Sequence, residues 1–138
     1  IRDELKSRGL GDVYTRQYVN NIFGRRSHFN GINDKNFNVR NFQERAAINA
    51  PIQGSASEVM RLAMIRLDKK LSEEKNSNSK MLLQIHDELI FEIPKKDEKV
   101  MIKLIEKEMT SVAQSDYHSF STPLTVDINV GDNWGMLH

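Results

Sequence analysis

The chain has 138 residues, 38% hydrophobic and 28% charged, which is the balance of one globular domain and excludes a wholly disordered protein. It has no cysteine and no apolar run near the ~20 residues of a membrane-spanning helix, so disulfide frameworks, thiolate metal sites and a transmembrane protein are excluded and we expect a cytosolic protein. Residues 1–70 carry 13 Lys/Arg against 7 Asp/Glu, whereas residues 71–138 carry 7 against 12, which favours contact with a polyanion in the first half.

The first predicted elements are a helix and a loop. Tyr14, Tyr18 and Ile22 recur at four-residue spacing, which predicts a helix that ends near Gly24. Residues 29–38 are dense in Asn, Gly and Asp and therefore predict an irregular loop.

Two helices are predicted next, on either side of a proline. Residues 41–50 favour a helix, and Pro51 predicts its end near Ala50 because a proline restricts the residue before it. A second helix is then expected to run to about Leu71. Its predicted capping box is Ser55 with Glu58, and its predicted apolar stripe is Met60, Met64, Leu67 and Leu71.

The second half of the chain predicts a hairpin, a helix and a strand after a polar loop at residues 73–79. Residues 81–93 are apolar apart from the triplet His86-Asp87-Glu88, which predicts two strands folded about that triplet. Asp97 is expected to cap a helix that continues to about Val112. Residues 124–130 alternate between apolar and polar side chains, which predicts a half-buried strand and, with the other elements, a mixed α/β fold.

The triplet His86-Asp87-Glu88 is the first candidate site. A tight hairpin would hold its two carboxylates and its imidazole at the end of a sheet. Mg²⁺ takes oxygen ligands and binds through one or two carboxylates plus substrate phosphates, so this arrangement suits it. The alternative is a solvated acidic turn.

Polar side chains of the first half form the second candidate site. Arg45, Asn49 and Gln53 are spaced by four, and such side chains can donate to the minor-groove acceptors that every base pair presents. The proline between them leaves open whether Gln53 continues the face of the first helix, and a plain helix surface is the alternative. Arg25 and Arg26 could grip a nucleic-acid backbone or be solvated cations.

The residues of these segments and their order along the chain resemble DNA polymerase family A, the bacterial DNA polymerase I type. The resemblance runs from about Tyr18 to His138 and is carried by Gly24-Arg25-Arg26, by residues 45–54 and 82–92, and by the ending with Trp134 and His138. It implies a fragment of a right-hand polymerase of mixed α/β (α+β) class, with an antiparallel palm sheet and a motif C hairpin covered by helices. Residues 1–138 would be the C-terminal part of one polymerase domain, with about 1–50 a fingers-to-palm segment and about 51–138 the palm.

The resemblance also implies an activity and its residues. It implies a DNA-directed DNA polymerase of replication and repair, a monomer without membrane contact, that uses primer-template DNA, dNTP and two Mg²⁺ ions. Asp87 maps to a catalytic metal ligand, Glu88 to its catalytic neighbour and His86 to a residue near the primer end. The DNA-binding positions implied in the first half are Arg25, Arg26, Arg45, Asn49 and Gln53.

Departures from the family pattern also matter, among them the loop Ser27-His28-Phe29-Asn30, which lacks the family's usual run, and two other classes of function stay open. Ser55-Ala56-Ser57-Glu58 stands where the family often has Thr-Ala-Ala-Asp, and Arg61 stands where Lys is usual. The family's first catalytic aspartate and its nucleotide-binding helix would lie upstream, so we expect this chain alone to be inactive. A noncatalytic nucleic-acid-binding module would need no metal at Asp87, and a metal-dependent phosphohydrolase would need Asp127 or Asp132 to join it.

Overall fold

A single long helix, α1 (Phe37–Glu73), takes the place of the two helices predicted on either side of Pro51. The predicted boundary near Ala50 is wrong because a proline removes only one backbone N–H, and the helical hydrogen bonds before and after it can persist. Ser55 lies inside the helix and its hydroxyl donates to the carbonyl of Pro51. The predicted capping box of Ser55 with Glu58 is therefore wrong as well.

The structure is a computed structural model that describes residues 18–73, 78–115 and 118–137. Within these ranges the chain forms two helices and three two-stranded antiparallel sheets, which confirms the predicted mixed α/β class and places the strands in separate hairpins. Internal contacts divide the chain into a first unit that ends at Glu58 and a second that begins at Val59. Neither helix of the described ranges combines the length and apolarity needed to cross a bilayer.

The first unit contains a hairpin where a helix was predicted. Strand β1 (Tyr18–Asn20) pairs antiparallel with β2 (Arg26–His28), and Gly24 between them has φ 80°. The predicted helix ending near Gly24 is therefore wrong in its described part, which includes Tyr18 and Ile22, while Tyr14 lies outside the described residues. Aromatic and β-branched residues favour strands, and the four-residue spacing did not reveal the partner strand.

The core of the first unit joins this hairpin to the start of α1. Residues 29–36 are irregular, as predicted, and Asn36 Oδ1 accepts the backbone N–H of Asn38 in the first turn of the helix at 3.0 Å. The buried cluster consists of Val19, Phe29, Ile32 and Ala47, with Ala46 and Ala50 packed against it. The apolar cluster therefore fixes which face of α1 points inward.

Ile32 is fully buried in this cluster, so its truncation tests how much the cluster stabilises the fold. We expect Ile32→Ala to lower the free energy of unfolding by about 2–5 kcal/mol, because the loss of apolar contact adds to the cavity left behind. Ile32→Val, which removes one methylene, is the matched control with an expected loss of about 0.5–1.5 kcal/mol. Urea denaturation measures both, and equal losses would contradict a close-packed cluster.

The second unit contains the predicted hairpin and helix. Strand β3 (Lys80–Ile85) pairs antiparallel with β4 (Glu88–Glu92), with an irregularity between Met81 and Leu83. Helix α2 (Glu98–Thr110) begins after Asp97, as predicted, although the Asp97 side chain makes no capping hydrogen bond. A 3₁₀ turn (Ser111–Ala113) and a short pair, β5 (Gln114–Ser115) with β6 (His118–Ser119), follow. The buried apolar side chains of this unit are Ala63, Leu67, Met101, Ile105, Val112 and Ala113.

Of two further predictions for this unit, the apolar stripe is confirmed and the last strand is wrong. The stripe on α1 is confirmed, since Leu67 is fully buried and Met60, Met64 and Leu71 are half-buried. The strand predicted at residues 124–130 is wrong, because no strand is formed there in the described ranges. Leu124 and Val126 are half-buried, but Ile128 and Val130 are exposed, so burial alternates only in the first half of the segment. A strand also needs a partner for its backbone N–H and C=O groups, and alternation alone supplies none.

The last described element is a short 3₁₀ turn, Trp134–Met136. Trp134 is the one tryptophan of the sequence, and its side chain is half exposed. Nearby, Lys95 Nζ lies 2.8 Å from Asp132 Oδ1 in an ion pair between two exposed side chains. The end of the described chain thus exposes an ion pair beside apolar side chains, which include Val130, Trp134 and Met136.

Candidate nucleic-acid face and acidic hairpin

Arg45, Asn49 and Gln53 form one exposed face of α1. Because the helix continues through Pro51, the three side chains stand at i, i+4 and i+8 of a single element. All three are exposed, whereas Ala47 is buried in the core cluster. At 1.5 Å per residue the row covers about 12 Å along the helix. The structure thus answers the question that the proline left open, since Gln53 continues the face of Arg45.

The two adjacent arginines lie where the β1–β2 loop ends, since Arg25 is the last loop residue and Arg26 begins β2. Arg26 is exposed and its guanidinium carbon lies 4.6 Å from the centre of the Tyr18 ring, a cation–π contact. Arg25 turns instead towards α1, where its Nε lies 3.2 Å from Oε2 of Glu58. The pair predicted to act together therefore divides into one stacked cation and one cation paired with an acid.

Asn21 fixes the backbone of this loop. Its Oδ1 accepts the backbone N–H groups of Phe23 and Arg25, both at 2.9 Å, and its Nδ2 donates to the carbonyl of Gly54 at 3.1 Å. Beside it, the N–H of Ile22 donates to the hydroxyl of Ser55 at 3.1 Å. The loop is thus held against α1 at Gly54 and Ser55, three and four residues after Pro51.

The roles of two residues of this region escaped prediction from the sequence, since Glu58 was expected only as part of a capping box. Asn21 and Glu58 are buried, with 8% and 7% of their surface exposed. Buried polar groups of this kind need partners, and both have them across the hairpin and the helix. The one local signal was the order Asn21-Ile22-Phe23-Gly24, since asparagine and glycine are typical of turns.

The acidic triplet lies at the end of the β3–β4 hairpin. Ile85 pairs with Glu88, so His86 and Asp87 form a two-residue turn and Glu88 begins β4, which makes the hairpin tighter than predicted. His86 has φ 52°, and among the described residues it is the single non-glycine residue with a positive φ. Gln84 Nε2 donates to the His86 carbonyl at 3.1 Å. A left-handed residue costs roughly 1–2 kcal/mol, and such strain is concentrated at functional sites.

The carboxylates of this turn suit a hard cation. Asp87 and Glu88 are adjacent and both are exposed, so their oxygens are open to a ligand. Mg²⁺ binds through one or two carboxylates and completes its shell with water and phosphate oxygens. Within the described ranges no three His, Asp or Glu side chains come together as a metal-binding group, and Asp127 and Asp132 do not join Asp87. The turn therefore presents two adjacent, exposed carboxylates and no larger metal-binding group within the described ranges.

Comparisons with known proteins agree on one family. The model of the family described as "DNA polymerase family A" matches residues 7–136. DNA polymerase I of Streptococcus pneumoniae is 45% identical over 117 residues, which is 85% of this chain and 13% of that protein. DNA polymerase I of Rhizobium leguminosarum is 42% identical over the whole chain, which spans 14% of its length.

A solved structure shows the same likeness in three dimensions. It is the "POL domain of Pol1 from M. smegmatis complex with DNA primer-template and dNTP", with a TM-score of 0.87 and 32% identity. The match covers 99% of this chain and 23% of that one. The chain thus spans about an eighth to a quarter of the length of the relatives named here.

Proposed function

Because the chain belongs to DNA polymerase family A, we propose that it is the C-terminal part of an enzyme that adds deoxynucleotides to a primer 3′-hydroxyl under the direction of a template strand. Its residues to about 50 would form a fingers-to-palm segment and those from about 51 to 138 the palm. The complete polymerase would act in the cytoplasm as a monomer, in DNA replication and repair. The observation that carries the proposal is the exposed row of Arg45, Asn49 and Gln53 on one helix.

We propose that this row binds the minor groove of the primer-template duplex. The guanidinium and amide groups are donors, and purine N3 and pyrimidine O2 are acceptors present in every base pair. A polymerase must accept all four pairs and still detect whether a pair has the correct shape. Donors aimed at shared acceptors meet that need, and Arg26, stacked on Tyr18, would add a contact to the phosphate backbone.

The acidic hairpin supplies the groups for the chemistry. We propose that Asp87 binds Mg²⁺, that Glu88 supports the charge around it, and that His86 contacts the primer end. When bound, the pair of metal ions would activate the primer hydroxyl and stabilise the charge on the triphosphate. The turn contributes rigidity, because a two-residue connection between paired strands holds the backbone of Asp87 at a fixed place. Preorganised groups of this kind need little rearrangement as the reaction proceeds.

Alanine variants of the helix row test the binding role. We expect Arg45→Ala and Gln53→Ala, made in the complete polymerase, each to weaken extension by roughly tenfold, the scale of a lost hydrogen bond to a charged group or to a buried base edge. The loss should be similar for all four terminal base pairs, because the acceptors are shared. Steady-state extension of four primers that differ in the last pair measures this.

The control for these variants is Lys69→Ala, an exposed cation further along the same helix. It should leave extension close to that of the parent protein. A strong dependence of either variant on one particular terminal pair would contradict reading of duplex shape and would indicate a base-specific contact instead.

A further inference from the structure

The ion pair between Arg25 and Glu58 differs from an ordinary surface pair in the burial of its two partners. The Arg25 side chain is 62% exposed, whereas that of Glu58 is 10% exposed. An exposed ion pair contributes little to stability, and a carboxylate loses much of its hydration on burial. Stability alone is thus a weak reason for an acid at this position of the helix.

The geometry of the pair brings the Nε edge of the guanidinium to Glu58. Glu58 engages Nε of Arg25 at 3.2 Å, which is the donor nearest the aliphatic stem. A guanidinium has five N–H donors in a rigid plane, and its Nη groups match the oxygens of a phosphate. Nε is the Arg25 donor that meets Glu58 and the Arg25 side chain is mostly exposed, so we expect its Nη donors to be open to a phosphate.

The backbone of Arg25 is held in place as well as its guanidinium. The Asn21 side chain accepts the Arg25 N–H and donates to the Gly54 carbonyl on α1, so the loop cannot shift along the helix without breaking the bond to Gly54. Arg25 is thus tied to α1 at its backbone and at its guanidinium, on the helix that carries Gln53. A cation fixed in this way loses less conformational entropy on binding than a free arginine.

We propose that Glu58 is a positioning residue that holds Nε of Arg25 so that the Nη groups bind a backbone phosphate of the primer-template duplex. The inference rests on the proposed function and adds to it a residue that contacts no DNA itself. It also accounts for the acid at position 58, where the family pattern often has aspartate. Neutralising Glu58 should weaken DNA binding, although the removal of a negative charge near a polyanion would by itself strengthen it.

The test is a set of primer-template affinities measured against salt concentration in the complete polymerase. We expect Arg25→Ala to weaken binding several-fold and to reduce the slope of log affinity against log salt by about 0.9, the effect of one phosphate contact. Glu58→Gln should weaken binding to a similar extent. In the Arg25→Ala background Glu58→Gln should cost nothing further, because residues that act as one unit are not additive. Glu58→Asp, which keeps the carboxylate, should restore most of the affinity.

Two further variants make the result decisive. Glu73→Gln breaks an exposed ion pair with Lys70 on the same helix and should leave affinity unchanged. Arg25→Lys alters an exposed side chain, so this variant still tests the inference if Glu58→Gln does not fold. One ammonium group cannot bind Glu58 and a phosphate through two edges as a guanidinium can. We therefore expect Arg25→Lys to bind DNA as weakly as Arg25→Ala.

The outcomes separate the inference from the proposed function. The inference is overturned if Glu58→Gln binds DNA as well as or better than the parent, if its cost persists without Arg25, or if Arg25→Lys binds like the parent. Absence of primer-template binding by the parent protein would overturn the proposed function, and this inference with it.

Discussion

Asp87→Asn is expected to abolish nucleotide incorporation by the complete polymerase while its affinity for primer-template DNA stays within a few-fold. The amide has the size of the carboxylate but lacks the negative charge that holds Mg²⁺. Stabilisation of charge at the reacting centre is worth several kcal/mol and acts mainly on the chemical step. Asp87 is exposed in a turn between paired strands, so the exchange leaves the hairpin intact.

Single-turnover incorporation and a separate binding titration measure the two effects. Asp68→Asn is the matched control, because Asp68 is an exposed carboxylate on α1 outside the proposed site. It should leave both quantities unchanged. Near-normal turnover by Asp87→Asn would remove Asp87 from the catalytic role, and a large loss of DNA affinity would show that the carboxylate acts in binding.

The isolated 138-residue chain is expected to incorporate no nucleotide when Mg²⁺, dNTP and primer-template are supplied. Two metal ions about 3.5–4 Å apart need ligands from more than one chain segment, since one hairpin cannot surround both. In the described ranges Asp87 and Glu88 come together at one turn, and no group of three metal-binding side chains forms. The chain should still fold at least in part and bind DNA weakly, with a strong dependence on salt.

Primer extension and binding assays on the purified chain check this expectation. Template-directed extension by the chain alone would contradict both its incompleteness and the need for an upstream aspartate. Magnesium titration with and without primer-template distinguishes a polymerase from a noncatalytic nucleic-acid-binding module. A noncatalytic nucleic-acid-binding module would bind DNA equally well with and without Mg²⁺. A polymerase palm should bind the metal more tightly when DNA and dNTP are present.

The hairpin at the acidic triplet could be predicted from the sequence because its determinants are local. Apolar residues on both sides of His86-Asp87-Glu88 indicate two strands, and a polar break between them indicates a turn. The predicted helix boundary at Pro51 was wrong, although the rule that a proline restricts the residue before it is also local. Burial of Ala47 in the apolar cluster and the hydroxyl of Ser55 support the helix around the proline, and neither is visible in a short window of sequence.

The first hairpin and its polar anchor depend on contacts between distant residues. Four-residue spacing predicted a helix through Tyr18, but pairing of β1 with β2 decides the conformation. Asn21 meets Gly54 across 33 residues, and Glu58 meets Arg25 across the same distance in sequence. The sequence therefore predicted which face of α1 is polar, but it did not reveal that Asn21 and Glu58 hold the loop against the helix.

The lone tryptophan gives this chain a built-in spectroscopic reporter. Trp134 lies half exposed in the 3₁₀ turn of the second unit, and the first unit has no indole. Its fluorescence therefore follows the environment of one unit, while the far-ultraviolet circular dichroism of α1 follows residues of both. Coincident transitions of the two signals would identify cooperative unfolding of the chain, and separate transitions would assign the less stable part without any added label.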